Sequence, residues 1–586
     1  MSTDKESRKI KSIVALTLII VLQLVRIIYS FVYLKEDFHS DEMWSYGLSN
    51  SYYEPFIYQN AEHTDFTNYK TWFSSKVMRD YLTVDESQRF SYGSVYYNQV
   101  HDYHPPFYYF VLHTICSFFP GKFSPWYSFS INIASFVGTI VFLYLLIKEI
   151  NDSEKIAFLG CLFYGFSLGA FNTFEFIRIY APATMISTMY LYYHAKLYHA
   201  DKMKKNMIIL FIITLIGCLT HHFFIPFAGC VSACFCVYYL IKKTIKKLIV
   251  YSVSMLSSVA ASLAIFPATI DHLFSGRIDD NKYPFFWQIK LNISCMTSEL
   301  FGFSIPVVSK FSFTANLIAV VCVLAILSPL VYLFRKEIWF KKLISAVKTG
   351  LKQLINHIKD IDLIVVSLFV SVFGLILLTS LTVSNIHMGR HADRYIFIAF
   401  PAAAAFWVIC FNTLFSKIKM KCISNILLII FCFVPCVISN MFGPSNYLFQ
   451  KEEGATPVQD FIRDSNCVFI SDDFWLLTCF TRLSMDSDYI YALRETDLKT
   501  DIDEIPDAPD KDKELYFFID DYFLFKDYED STLPVGQLPD MGMSYDQSKR
   551  LTQAELENQL RKKYSMCEYV GFDDMFMRKF LIYRVN

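Results

Sequence analysis

Two adjacent carboxylates, Asp41 and Glu42, stand just beyond the first long apolar run, in His39-Ser40-Asp41-Glu42-Met43-Trp44. Acids delivered to a membrane surface by a hydrophobic anchor suit a general base or an acceptor-orienting group better than a conduction path. Neighbouring residues on a helix point about 100° apart, so the two acids are expected to do different work. The bland alternative is a pair of headgroup-level charges closing a span. A long polar and aromatic loop follows and ends in His104-Pro105-Pro106-Phe107-Tyr108-Tyr109, where the prolines give a rigid entry to an apolar helix and His104 can face water.

Further motifs fall at junctions between apolar runs. Glu175-Phe176-Ile177-Arg178-Ile179-Tyr180 places an acid and a cation where burial is costly unless each finds a partner, so Glu175 and Arg178 are candidates, with Arg178 as a fixed phosphate-binding cation. His221-His222 forms the next junction; a histidine there can donate to phosphate or move a proton. His387-Met388-Gly389-Arg390-His391-Ala392-Asp393-Arg394-Tyr395 is a compact cationic patch that suits a lipid-linked phosphate. Snorkelling and ordinary headgroup contact are the competing readings.

The elements that must position these residues are mostly membrane helices. The 586 residues are 54% hydrophobic and 17% aromatic, too apolar for a soluble enzyme, and the formal net charge of -1 offers no basic face for nucleic acid. Most of the 15 cysteines lie within apolar runs without metal-type spacing, so they read as small hydrophobes. Spans are expected near 13–34, 126–148, 156–172, 179–198, 206–220, 223–241, 247–268, 312–334, 361–382, 394–414 and 421–441. With Lys5, Arg8, Lys9 and Lys11 inside, the loops 148–155, 201–205, 241–247, 335–359 and 416–421 all carry Lys or Arg on the cytoplasmic side. This registration requires that the short run 107–119, bounded by Pro105-Pro106 and Pro120-Gly121, does not cross. The loop 35–125, the junctions at 171–178, 221–222 and 384–393, and the tail 442–586 then share the outer face. The tail is charged and alternates strand-like runs (467–470, 515–519) with a helical pattern at 553–563, as a small α/β domain does.

The order of these motifs resembles the GT-C glycosyltransferases, in particular bacterial branches of the protein O-mannosyltransferase and lipid A aminoarabinose transferase superfamily. The resemblance covers residues 13–441. It implies a GT-C-like transmembrane catalytic domain at 1–441 of about 11 helices, with a small extracytoplasmic α/β domain at 442–586. It implies a polyprenyl-phosphate sugar donor and an extracytoplasmic acceptor (cell-surface glycan, lipid or protein), reached by an inverting displacement at the bacterial cell membrane. Asp41, with Glu42 beside it, takes the place of the base or acceptor-orienting acid. Arg178, Tyr180, Arg390 and Arg394 match the positions of donor-phosphate contacts, and His104 the His-Pro-Pro position. Glu175 and His222 join this substrate-binding set on their location. No cofactor is required, a divalent metal being optional, and no metal ligands are assigned. Membrane lipids are partners; the oligomeric state is left open. The alternative from another class is a transporter or flippase of lipid-linked saccharides, which would place ionisable groups in mid-span and show an internal repeat.

Overall fold

The computed structural model describes residues 2–199, 203–274, 285–302, 362–382, 389–442, 445–471, 474–494, 502–521, 551–575 and 578–586. The first apolar run is one helix, α1 (Ser2–Tyr33), whose Leu18, Leu22 and Val25 side chains stay exposed, as lipid-facing residues do. The first loop then folds as α2 (Ser40–Asn50), a short strand β1 (Trp72–Ser74), α3 (Lys76–Leu82), α4 (Tyr92–His101) and α5 (Phe107–Ser117). At 11 residues α5 is too short to cross: it is roughly 16 Å long against a hydrocarbon core of about 30 Å. This agrees with the expectation for 107–119.

The chain continues as α6 (Trp126–Asn151), α7 (Glu154–Gly165), α8 (Leu168–Glu175), α9 (Tyr180–His199), α10 (Met203–Cys218), α11 (Phe224–Ile241), α12 (Ile245–Ile265), α13 (Ala268–Phe274) and α14 (Phe285–Phe301). Three more helices span Leu363–Thr382, Phe400–Phe415 and Lys421–Phe442. Among the described residues, 7 helices are long and apolar enough to cross a membrane, or up to 8 if a bent pair counts as one span. The chain is an integral membrane protein. Helices α9 and α10 lie where spans are expected but are not among those helices, and the expected span 312–334 and loop 335–359 lie outside the described residues.

One expected span is broken. The run 156–172 is not one helix but α7 and α8, bent by 59°. A side chain of α1 meets the chain just before the bend. Gln23 of α1 donates to the Cys161 carbonyl at 3.0 Å and lies where a side chain on Gly165 would stand. Ser167 then caps α8 by accepting from the Ala170 amide. The run 394–414 lies where it is expected, within the membrane-length segment Asp393–Phe415, but its opening belongs to a 3-10 helix, Gly389–Ala399, and it is α-helical only from Phe400, with Pro401 in its first turn.

The tail builds a mixed six-stranded sheet in the order β1-β3-β2-β4-β6-β5, with β2 (Asn466–Ile470), β3 (Tyr489–Leu493), β4 (Leu515–Asp520), β5 (Cys567–Met575) and β6 (Arg578–Val585). Both strand-like runs and the helix at Gln553–Lys563 lie where the pattern puts them. Strands β2 and β4 are buried at every position, as parallel strands covered on both faces must be. The edge strand β1 comes from the first loop and pairs antiparallel with β3, so residue 442 separates chain segments but not sheets. Further straps join the same two segments. Glu36 donates its amide to the Leu448 carbonyl at 3.0 Å, its carboxylate accepts from the Lys451 amide at 2.7 Å, and Arg482 pairs with Asp37 at 2.9 Å.

The Asp37–Arg482 pair is largely buried, so the tail's hold on the first loop can be measured directly. A double-mutant cycle on Asp37→Asn and Arg482→Gln, read by thermal unfolding in detergent, is expected to give a coupling of about 1–3 kcal/mol. Coupling near zero would mean that the tail is held by its backbone contacts alone.

Candidate active site

Helix α2 starts in a capping box that fixes both acids. The His39 ring nitrogen Nδ1 accepts from the Asp41 amide at 3.0 Å, and the Glu42 carboxylate accepts from the His39 amide at 2.7 Å. Helix geometry then sends the acids to different partners. Glu42 Oε1 takes Lys35 Nζ at 2.9 Å and the Ile177 amide at 2.9 Å. Asp41 Oδ2 instead receives Nη1 of Arg178 and, at 2.6 Å, Nη1 of Arg394. Asp41 is 6% exposed and each arginine 4%. Burial opposes the charge on Asp41, but Arg178 and Arg394 outweigh it and hold this carboxyl well below the usual carboxylate range. Its contribution to stability is therefore present above about pH 4 and is lost only as pH falls through the depressed value.

Arg178 arrives on non-helical backbone buried between α8 and α9, which is tolerated only if its polar groups are paired. Asn132 of α6 donates to the carbonyls of Phe174 (2.9 Å) and Phe176 (2.8 Å), and Tyr108 and Ser128 both donate to the Ile177 carbonyl at 3.2 Å. Glu42 accepts the Ile177 amide. The bend between α7 and α8 thus presents Arg178 to Asp41, and α2, α5 and α6 clamp it there. Lys35 ties the back of the site together. It donates to Glu42, to the Glu175 carbonyl (3.2 Å) and to the Tyr447 carbonyl (2.9 Å).

The other candidates divide. Tyr180 lies beside the arginines, its ring 5.0 Å from that of His221. His104 donates through Nδ1 to the Asp102 carboxylate at 2.7 Å and lies within electrostatic reach of Asp41. His222 turns toward the α13 side, its ring 5.7 Å from His272, and burial pushes it down to about 3. Glu175 is buried behind the site, near Lys35 and Arg26, and its carboxylate has no hydrogen-bond partner among the described residues. The side chain of Arg390, like His387, lies outside the described residues. Lys35, His39 and Asp102 were not signalled by motif; the visible hint was position, Asp102 standing two before His104 and Lys35 closing α1. An open cleft of about 600 Å³ lies elsewhere, between Ser74–Glu86 of the first loop and Asp464, Asp486 and Asp488 of the tail, and none of the candidates lines it.

Several buried donors here are unspent among the described residues: Arg178 Nε, the Tyr109 hydroxyl and His221 Nε2. Two guanidiniums on one carboxylate leave one net positive charge, with donors to spare, so the cluster suits an anion. Among the described residues, no three His, Cys, Asp or Glu side chains come together as metal ligands.

No protein-family model and no curated protein sequence matches the chain. Solved structures do. ArnT from Cupriavidus metallidurans in the apo state is 10% identical, with 96% of this chain and 97% of that one covered and a TM-score of 0.46. The Archaeoglobus fulgidus oligosaccharyltransferase solved with Zn and sulfate is 11% identical, with 87% and 69% covered and a TM-score of 0.44. The same organism's oligosaccharyltransferase AglB, solved with an inhibitory peptide and a dolichol-phosphate, is 10% identical, with 88% and 71% covered and a TM-score of 0.44. At these identities the likeness concerns the chain path, and the chemistry of the site rests on its own geometry.

Lys35 and Glu42 are wholly buried, so removing one partner strands the other's charge. Lys35→Met is expected to cost about 3–5 kcal/mol in thermal unfolding, with part of the loss recovered in Lys35→Met/Glu42→Gln. An unchanged melting temperature in Lys35→Met would show that the pair does not hold the site together.

Proposed function

We propose that this protein transfers a sugar from a polyprenyl-phosphate-linked donor to an extracytoplasmic acceptor: a cell-surface glycan, a lipid or a protein. The observation that carries the reading is the buried cluster of Asp41, Arg178 and Arg394. Its single net positive charge complements the single negative charge of a phosphodiester, and Arg178 Nε–H is left to bind it. A lipid tail partitions into the bilayer, which brings the anomeric carbon to this cluster without a soluble nucleotide.

In this mechanism the arginines take the charge that grows on the departing phosphate. The acceptor hydroxyl attacks the opposite face of the anomeric carbon, which inverts its configuration, and the sugar is a hexose or a pentose. Of the two roles open to Asp41, the geometry supports positioning over proton removal. Its Oδ2 already serves both guanidiniums, and a carboxylate held so far below its usual range is a weak base. Glu42, with Lys35 and two amides on its oxygens, holds the Arg178 turn against α2. Tyr180 and His221 flank the arginines. The active site and the tail then lie on the extracytoplasmic face of the membrane, which the basic loops 148–155 and 241–247 support.

The test is transfer or hydrolysis of radiolabelled polyprenyl-phosphate mannose, glucose, galactose, N-acetylglucosamine and arabinose by purified protein. Turnover of at least one donor is expected. Arg178→Lys and Arg394→Lys should each weaken donor binding by about 10- to 100-fold, since each loses a charge-assisted hydrogen bond of about 1.5–3 kcal/mol. Failure to bind or turn over any donor, with lipid-linked sugar crossing proteoliposomes instead, would replace the transferase with a transporter.

A further inference from the structure

The site holds a second acid–base pair that the donor-binding cluster does not use. Asp102 follows directly on the C-terminus of α4, and His104 stands two residues later, before Pro105 and Pro106. Their contact is 2.7 Å, from His104 Nδ1 to Asp102 Oδ2. A carboxylate only accepts, so Nδ1 carries the proton and the lone pair is on Nε2. The pair is rigidly mounted. Both prolines are buried, and the amide of Phe107 donates to the Leu219 carbonyl at the end of α10 at 3.0 Å. His104 is 23% exposed at its side chain, whereas Asp41 is 9% exposed, so the histidine is the more open of the two to an incoming hydroxyl.

We propose that His104, oriented by Asp102, is the general base that takes the proton of the acceptor hydroxyl. The inference rests on the transferase reading and adds the proton's destination. The acceptor O–H proton passes to His104 Nε2 as the acceptor oxygen bonds to the anomeric carbon. The bond from that carbon to the phosphate oxygen breaks, and its electron pair leaves on the phosphate beside Arg178 and Arg394. The imidazolium that forms is stabilised by Asp102 and by Asp41, then returns its proton to water. Division of labour explains why Asp41 and Asp102 have different partners: Asp41 organises cations, and Asp102 organises a base.

The groups that face His104 are Asp102 at the end of α4, Asp41 of α2, Arg178 of the α8–α9 turn, and His221 and His222 of the α10–α11 corner. Burial is the largest influence on His104 and, with Arg178, outweighs the two carboxylates, so its pKa lies below the ordinary histidine range. It is therefore neutral, and able to accept a proton, at pH 7. Activity should fall as pH drops through this depressed value, below about 6.5.

The experiment measures kcat, donor Kd and the pH–rate profile for whichever radiolabelled polyprenyl-phosphate sugar the wild type turns over, with water as acceptor. His104→Gln is expected to lower kcat by about 10²- to 10⁴-fold, leave donor Kd within twofold, and abolish the acid limb of the profile. Asp102→Asn should also lower kcat, and the double variant should be no worse than His104→Gln, because the two act as one unit. Imidazole should restore part of the rate to His104→Ala, a rescue that a merely structural role would not give. Unchanged kcat in His104→Gln, a retained acid limb, or a loss confined to donor Kd overturns the proposal and leaves the transferase intact. If the wild type turns over no donor, the transferase reading itself falls, and this inference with it.

Discussion

One carboxylate holds the membrane half of this protein together. Asp41 binds Arg178, 137 residues away, and Arg394, 353 residues away, so three remote stretches of chain meet on a single oxygen. Two guanidiniums buried side by side would repel each other without it, and Asp41 alone would not stay charged away from water. The arrangement is stable as a triad and still carries one positive charge. That residual charge is what an anionic ligand can use, which makes the structural constraint and the binding chemistry the same fact.

Delivering the arginines required departures from regular helix. Gln23 donates to a carbonyl of the last turns of α7, Ser167 starts α8 at a new angle, and the buried backbone of residues 174–177 is paired by Asn132, Tyr108, Ser128 and Glu42. Arg394 arrives on a 3-10 turn that precedes Pro401. Irregular backbone inside a membrane protein persists only where side chains replace the lost hydrogen bonds, so these four side chains belong to the site although none need touch a substrate. Behind them Lys35 joins α2, α8 and the linker at Tyr447, and β1 stitches the first loop into the tail's sheet.

Much of the site was legible in the residues. Asp41, Arg178 and Arg394 were each marked by an ionisable group at the edge of an apolar run, where burial without a partner is costly. His104 was placed with them by the resemblance of its His-Pro-Pro position; the prolines alone gave only a rigid helix entry. Partnership was not legible. Glu42 and Asp41 look alike in sequence, yet only the phase of α2 decides that one faces Lys35 and the other two arginines. Lys35 belongs to no motif, and the sheet strand at Trp72–Ser74 is too short to show alternation above its surroundings.

By itself the sequence determined the placement of most of the described apolar helices, the shortness of α5, the α/β character of the tail and the residue types that could do chemistry. Those features depend on local hydropathy, charge and proline geometry, which act over one element at a time. Only the tertiary structure decided which oxygen meets which cation, that α7 and α8 are bent by 59° instead of forming one straight helix, that one sheet draws strands from both ends of the chain, and that Asp102 meets His104. Each of these depends on side chains brought together from distant segments or on the rotational phase of a helix, and neither is written in the periodicity of a single stretch.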